Sequence, residues 1–191
     1  MAALKRDQAV CRACVLAGHR LESLPVIAPG DGQRAYLFGQ APGIVEGEER
    51  RPWRGRAGKT LRRWLDLDED DFYATFYCAS VTRCYPGRQP SGRGDRTPST
   101  EERRLCSGWR DEELRLLAPA LVVTVGGLAA QSFLGRVSIS ECVGRCYETA
   151  GAVVVPLPHP SGASSWLNDA RNRELVDQAV ALVHGSLATL A

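Results

Sequence analysis

The chain has no long apolar run and almost no lysine. No stretch approaches the about 18 consecutive apolar residues of a membrane-spanning helix, so no such helix is expected. Residues 1–12 hold no apolar segment of a secretion signal, which predicts a cytoplasmic protein. Only Lys5 and Lys59 are lysines among the 24 basic residues, and the net charge of +2 is too small to indicate a nucleic-acid partner.

Histidine is also scarce, at three residues, whereas the seven cysteines are an odd number. An odd count without a secretion signal argues against a disulfide framework. Cys78 lies in an apolar run, and Cys142 and Cys146 lie in a predicted hairpin strand, so we expect these three to pack as small apolar side chains. The four that remain are Cys11, Cys14, Cys84 and Cys106. Four thiolates suit either tetrahedral zinc or an iron–sulfur cluster, and the spacing alone favours zinc.

Apolar strands alternate with amphipathic helices along the 191 residues. Strands are predicted at residues 34–38, 73–81, 121–125 and 153–157, with a hairpin strand at residues 146–149. Helices are predicted at residues 5–16, 57–65, 99–117, 128–133 and 168–184. Ser99 and Glu102 form a capping box at the start of the third helix. The alternation predicts the α/β class: a single domain built as a three-layer α/β/α sandwich around a central, mostly parallel four-stranded sheet.

Two short loops follow predicted strands directly. Residues 39–43 (Gly-Gln-Ala-Pro-Gly) follow the first strand, and residues 159–162 (His-Pro-Ser-Gly) follow the last. In an open α/β sheet the carboxyl ends of the parallel strands share one edge, and ligands bind there. We therefore expect the two loops to meet in one pocket.

These loops belong to a longer series of motifs. The others are the cysteine pair 11–14, residues 51–58 (Arg-Pro-Trp-Arg-Gly-Arg-Ala-Gly), Cys84, Cys106, the strand 121–126 and residues 144–148. In their order and spacing, the motifs resemble those of the iron–sulfur branch of the uracil-DNA glycosylases, usually called family 4. The resemblance runs from Cys11 to about Leu167.

The resemblance implies a monofunctional DNA glycosylase over residues 1–191, which begins base-excision repair. Such an enzyme flips uracil out of single- or double-stranded DNA and hydrolyses the N-glycosidic bond, with other deaminated bases left open as further substrates. It also implies a 4Fe–4S cluster rather than zinc on Cys11, Cys14, Cys84 and Cys106, and a monomer that is associated with the nucleoid if the source is bacterial or archaeal. Neither loop contains a lysine that could form a Schiff base, so no lyase activity is expected.

Two other functions remain open. One is a protein of the same fold that binds damaged or single-stranded DNA with little or no excision. The other, based on fold analogy alone, is a nucleotide-binding α/β protein with zinc.

The resemblance assigns the chemistry to His159, whose neutral imidazole would stabilise the departing uracil anion. The alternative is a strand-end histidine that caps backbone groups. Gln40 stands where the family commonly has Glu and cannot act as a general base; with Ala41 and Gly43 it would hold the base and the attacking water. Glu46 is the remaining carboxylate for that water, or else a solvated loop charge.

The remaining site residues concern the base and the DNA. Trp53 replaces the Phe that stacks on the flipped base, unless it packs beneath a loop, and Ser80 replaces the Asn that recognises the pairing edge of uracil. Ser161 is expected to contact the base. DNA-binding residues are expected in the basic loop 83–96, at Arg83 and Arg88, and at the wedge formed by Trp166 and Leu167. The alternatives are a solvated loop and the apolar start of the last helix.

Overall fold

The computed structural model describes residues 1–92, 94–149, 151–161 and 165–190, and a five-stranded sheet forms its centre. The strands are β1 (Ala35–Gly39), β2 (Phe76–Ser80), β3 (Leu121–Val125), β4 (Tyr147–Thr149) and β5 (Ala152–Leu157). Their order is β2-β1-β3-β5-β4. The first four in this order are parallel, whereas β4 is antiparallel to β5 at one edge. The fifth strand is the predicted hairpin strand, which joins the four predicted parallel ones.

The helices are short apart from two. They are α1 (Ala2–Ala9), α2 (Ala13–Leu16), α3 (Ile44–Glu49), α4 (Arg56–Trp64), α5 (Glu69–Thr75), α6 (Thr100–Leu117), α7 (Gly127–Leu134), α8 (Ile139–Cys142) and α9 (Ala170–Ala188). A 3₁₀ turn at Ser165–Asn168 precedes α9. No helix in the described part of the chain is long and apolar enough to cross a bilayer.

Helices cover both faces of the sheet. One face packs against α4, α5 and α9, through side chains that include Leu61, Phe72 and Val183. The other packs against α6 and α7, where Leu114 and Phe133 contact the second core cluster. Every residue of β1 and β3 is buried, as expected for parallel strands covered on both sides. The predicted three-layer α/β/α sandwich is therefore confirmed.

Local capping explains where the observed elements match or differ from the predicted ones. The capping box is present, since Ser99 Oγ accepts from Glu102 N at 3.2 Å and Glu102 Oε2 accepts from Ser99 N at 2.7 Å. The predicted strand 73–81 begins only at Phe76. Asp68 Oδ1 accepts from Asp71 N at 2.8 Å and so starts a helix, α5, that the apolar pattern did not indicate.

Three further boundaries differ from prediction. The helix expected over 5–16 is divided into α1 and α2 by residues 10–12. Cys142 is not in a hairpin strand, because it ends α8, and Cys146 lies just before β4. The last helix begins after Asp169, as predicted, but continues beyond residue 184 to Ala188.

Candidate functional site

The carboxyl ends of the parallel strands bring the two predicted loops to one edge of the sheet. Gly39 is the Cα partner of Ser80, and Val81 N donates to Gly39 O at 2.9 Å. On the other side, Gly126 N donates to Leu157 O at 2.9 Å, which fixes the backbone two residues before His159. Gln40, Ser80 and His159 therefore follow three strands that end at the same edge.

His159 is held as one tautomer by the loop that it begins. Ser161 N donates to His159 Nδ1 at 3.3 Å, and Ser161 Oγ lies 2.8 Å from the same nitrogen. A nitrogen that accepts a backbone N–H carries no proton, so the hydrogen-bond pattern assigns the proton to Nε2. Burial lowers the pKa of His159, although the charges of Asp95 and Glu46 oppose this shift. The result is a neutral imidazole with one N–H donor.

The His159 side chain lies against Gly126, at the end of β3. A Cβ added to Gly126 would lie 3.6 Å from His159 Cβ and 3.7 Å from His159 Cδ2. Gly126 also has a φ of +91°, in the left-handed region that other residues rarely adopt. The start of α7 thus forms one wall beside the histidine.

Trp53 packs against the core and lies at the start of the first loop. A Cβ added to Gly39 would lie only 2.8 Å from Trp53 Cζ2, so the indole lies directly on this glycine. Trp53 has a φ of +60°, and Arg62 Nη1 donates to its carbonyl oxygen at 2.9 Å. A Cβ on Gly58 would lie 1.8 Å from the same oxygen, so this turn requires glycine. The 51–58 motif thus fixes the indole beside the Gly39–Gly43 loop.

Ser80 lies at the predicted strand end, but its hydroxyl is already engaged. Ser80 Oγ donates to Thr82 O at 2.7 Å. While this bond is present the hydroxyl can accept a hydrogen bond from a base but cannot donate one. Ser80 can therefore form fewer hydrogen bonds with a base than the Asn side-chain amide found at this position in the family.

Glu46 connects two loops instead of facing solvent. It lies in the first turn of α3, where its Oε2 accepts from Gly43 N at 3.1 Å and its Oε1 accepts from Gly55 N at 2.7 Å. Both oxygens thus hold backbone amides, one in the Gly39–Gly43 loop and one in the 51–58 motif. This geometry gives Glu46 a positioning role and argues against the predicted role of activating water.

Asp95 is a carboxylate at this edge that the sequence did not point to as a site residue. Tyr85 Oη donates to its Oδ1 at 3.0 Å, and a Cβ on Gly43 would lie 3.3 Å from its Oδ2. Its charge acts on His159, whose pKa it raises. The available signal was that Asp95 is the only acidic residue between Cys84 and Ser99.

The four predicted cysteine ligands line one small pocket with a volume of about 20 Å³. Burial, together with the charges of neighbouring cysteines of the set, raises the pKa of Cys14 to about 11 and that of Cys84 to about 12. Within the described ranges, no group of three or more His, Cys, Asp or Glu residues could hold a metal ion. Cys78 is buried in the core around the sheet, and Cys142 is buried in α8.

Comparison with known proteins identifies the family. A family model described as the uracil DNA glycosylase superfamily matches residues 28–183. The chain belongs to this superfamily. Among its relatives is a type-4 uracil-DNA glycosylase of Sulfurisphaera tokodaii, 27% identical over 174 residues, which cover 84% of this chain and 74% of the relative. Another, from Thermotoga maritima, is 29% identical over 158 residues, 79% of this chain and 76% of the relative. The resemblance noted in the sequence is confirmed.

Arg83 of this uracil-DNA glycosylase superfamily member is not available to DNA, so its predicted role is wrong. The residue is 3% exposed, and its Nη2 pairs with Glu113 Oε2 at 2.5 Å. Glu113 also accepts from Tyr36 Oη at 2.5 Å and Gln8 Nε2 at 2.6 Å. Arg83 Nε and Nη1 have no hydrogen-bond partner among the described residues, and Arg83 lines the pocket of the four cysteines. The positive charge of Arg83 therefore lies beside the cysteine sulfurs, where a DNA phosphate cannot reach it.

The other residues predicted to contact DNA, Arg88, Trp166 and Leu167, differ in exposure and in their contacts. Arg88 is exposed and forms an isolated antiparallel bridge with Asp95. Trp166 packs against the core, and its Nε1 donates to Ser140 Oγ at 2.8 Å, which favours the alternative of an apolar start to the last helix. Leu167 is half-buried in the same 3₁₀ turn. The residues just before this turn, 162–164, lie outside the described ranges.

Proposed function

We propose that this protein is a monofunctional uracil-DNA glycosylase, which hydrolyses the N-glycosidic bond of uracil in DNA and so begins base-excision repair. The observation that carries the proposal is the neutral His159, held with its proton on Nε2 at the edge where Gln40 and Ser80 also lie. The superfamily match and the type-4 relatives support the same reaction.

The reaction separates a cationic sugar from an anionic base. As the bond to C1′ breaks, negative charge develops on the uracil oxygens, and His159 Nε2–H donates a hydrogen bond to that charge. A preorganised donor of this kind stabilises the transition state more than the ground state. The Ser161 backbone amide supports this role, because it keeps Nδ1 free of a proton and leaves Nε2 as the donor.

The flipped base would lie between the two loops. In this proposal Trp53 provides an aromatic face for stacking, and the backbone of Gln40, Ala41 and Gly43 forms the floor. Ser80 and Ser161 contact the polar edges of the base. Since the Ser80 hydroxyl donates to Thr82 O, its lone pairs would accept from the base.

Attack of water on the sugar needs an oriented acceptor rather than a strong base, because the sugar cation is already electrophilic. Gln40 cannot take up a proton, and both Glu46 oxygens accept backbone amides. Asp95 is the carboxylate that the geometry favours, since its Oδ2 faces Gly43 while Tyr85 holds Oδ1. We therefore assign Asp95 to orient the water and Glu46 to position the loops.

The proposal includes a 4Fe–4S cluster held by Cys11, Cys14, Cys84 and Cys106. Four sulfur donors without nitrogen or oxygen suit such a cluster, and all four line one pocket. When bound, the cluster would join three segments of the chain structurally. The buried guanidinium of Arg83 would offset part of its negative charge. The proposed enzyme acts on DNA as a monomer, with residues 1–191 as one domain.

A second function is favoured by the Ser80 hydrogen bond. With its hydroxyl proton committed to Thr82 O, the site has lost a donor toward uracil, which would suit a protein that holds damaged bases with little excision. The two functions differ in one product, a free base.

A single-turnover assay tests the proposal. A fluorescent strand with one uracil is incubated with excess protein and then treated with alkali, so that excision appears as strand breakage. Cleavage by the wild-type protein should fall roughly 100- to 1,000-fold in His159→Ala, with much smaller loss of DNA binding, because the lost donor acts in the transition state. His184→Ala, distant in α9, is the control. DNA binding without strand breakage by the wild-type protein would support the second function.

A further inference from the structure

A second cleft opens beside the candidate site, between α6 and α7. Its volume is about 360 Å³, within the range common for small-molecule sites. Phe38 and Val81 line it, and each directly adjoins a residue of the candidate site, Gly39 and Ser80 respectively. The cleft therefore begins at the same edge of the sheet as the candidate site, on the face covered by α6 and α7.

All charged side chains that line the cleft are positive. Its ten lining residues include three arginines, Arg103, Arg104 and Arg110, and no acidic residue. Arg103 donates to Ser99 O and to Thr100 Oγ1, and it has no carboxylate partner in the part of the chain that the structure describes. A guanidinium bound only to neutral acceptors keeps its full charge for an anion.

The other two arginines have partners that a phosphate can replace. Arg104 pairs with Glu101 one turn earlier on α6, and Arg110 pairs with its neighbour Asp111. The side chains of Arg104 and Glu101 are 68% and 47% exposed. An exposed pair such as Arg104–Glu101 contributes little to stability, so its exchange for a phosphate has a small cost, whereas the Arg110 side chain is only 26% exposed.

The floor of the cleft differs from its rim. The half-buried side chains of Val81 and Leu128 make the floor apolar, and Phe38 beside them is buried, in an edge contact with Phe133 with ring centroids 5.4 Å apart. Gln131 donates its amide N–H to Val137 O at 3.1 Å, so its side-chain oxygen is available as an acceptor. An apolar floor with a polar side chain and a basic rim is complementary to a base and its phosphate together.

We propose that this cleft is a second nucleotide site, which binds the base and phosphate of a nucleotide next to the flipped one in the same DNA strand. The phosphate contacts Arg103, and the unpaired base lies against Val81 and Leu128. The DNA part of this assignment rests on the proposed glycosylase function, whereas the nucleotide chemistry of the cleft rests on its own lining. Occupation of this site holds the strand across the sheet edge while the target base enters the first pocket.

The first test is binding of thymidine 5′-monophosphate, followed by NMR at the amides of Ser107 and Gln131. Wild-type protein should bind it at these amides, and Arg103→Gln should weaken the affinity roughly tenfold through loss of a charged hydrogen-bond donor. Arg171→Gln, an exposed arginine at the start of α9, is the matched control and should bind as the wild type does. Loss of affinity in both variants, or in neither, overturns the proposal. Inorganic phosphate that binds as tightly as the nucleotide also overturns it, because the base would then contribute nothing.

The second test uses DNA. Single strands carry one uracil and an abasic analogue at the neighbouring position, placed on the 5′ side or the 3′ side. One of the two placements should weaken binding to the wild-type protein several-fold and leave Arg103→Gln unaffected. If the wild-type protein binds the two strands with an abasic analogue as tightly as the strand without one, the proposal is overturned. If the protein excises no uracil but still binds the mononucleotide through Arg103, the glycosylase function fails while the nucleotide site stands.

Discussion

The chemistry available at this sheet edge depends on which side chains can donate or accept a proton. Ser161 N–H fixes the His159 proton on Nε2, and Gln40 cannot exchange a proton at all. Asp95 is then the carboxylate best placed for water, at a position that the sequence showed only as the lone acid of a basic loop. The role of His159 could be proposed from a motif that follows a strand. The contribution of Asp95 depends on how its loop folds back over Gly43, which no local pattern specifies.

The pKa of His159 tests this arrangement. Burial lowers it below the about 6.5 of a free imidazole, and Asp95 limits the shift, since its negative charge stabilises the imidazolium. Replacing Asp95 by Asn removes that charge, so the His159 pKa should fall further. Because the carboxylate proposed to orient the water is also lost, excision at neutral pH should fall roughly 100-fold. An NMR titration of the His159 ring, together with single-turnover excision, measures both. Asp177→Asn on α9 is the control, and an unchanged or higher pKa in Asp95→Asn would contradict the assignment.

Helix starts in this protein were predictable where a side chain caps its own helix. Ser99 and Glu102 do so for α6, and the sequence predicted this start correctly. The positioning role of Glu46 at the start of α3 was not predicted, because only one of its bonds is local and the other reaches Gly55, nine residues away in the chain. Arg83 was assigned to DNA because its loop is basic, but Glu113, thirty residues later in α6, draws it into the interior. Pairing over such distances is decided by packing, which composition does not reveal.

The capping box of α6 should make stability depend on pH. Arg96 donates two hydrogen bonds to Glu102, and these bonds, with those of Ser99, lower the Glu102 pKa to about 2. A lowered carboxyl pKa stabilises the fold fully above the unfolded value of about 4.3 and loses this effect as the pH falls toward 2. Glu102→Gln should therefore reduce the free energy of unfolding by about 1–2 kcal/mol at pH 7. Its difference from the wild type should narrow between pH 5 and pH 2.

Urea unfolding at pH 7, 5 and 3 measures this difference. Glu101→Gln is the matched control, because its exposed pair with Arg104 should contribute little at any pH. A gap between Glu102→Gln and the wild type that stays constant with pH would show that Glu102 acts through packing and not through its charge.

Across the whole molecule, the cysteine pocket connects segments that the sheet does not. Cys11 and Cys14 come from the α1–α2 region, Cys84 follows β2, and Cys106 lies within α6. The sequence selected these four by elimination, although of the other three only Cys78 lies where predicted, since Cys142 ends α8 and Cys146 is exposed. It could not show that the pocket is also bounded by a buried Arg83, which ties it to Glu113 and the core.

The cluster assignment predicts a brown protein whose colour depends on these cysteines and not on the others. Cys106→Ser, prepared without oxygen, should lose the broad visible absorption together with part of its iron and sulfide, and its thermal unfolding temperature should drop because three segments lose their common anchor. Cys146→Ser is the control, since this exposed cysteine lies outside the pocket, and it should keep the colour, the metal content and the unfolding temperature of the wild type. Iron, zinc and acid-labile sulfide are counted for each protein. A colourless wild-type protein with one zinc per chain would replace the cluster by a zinc site on the same four thiolates, and equal loss of iron in both variants would show that the pocket is not the site.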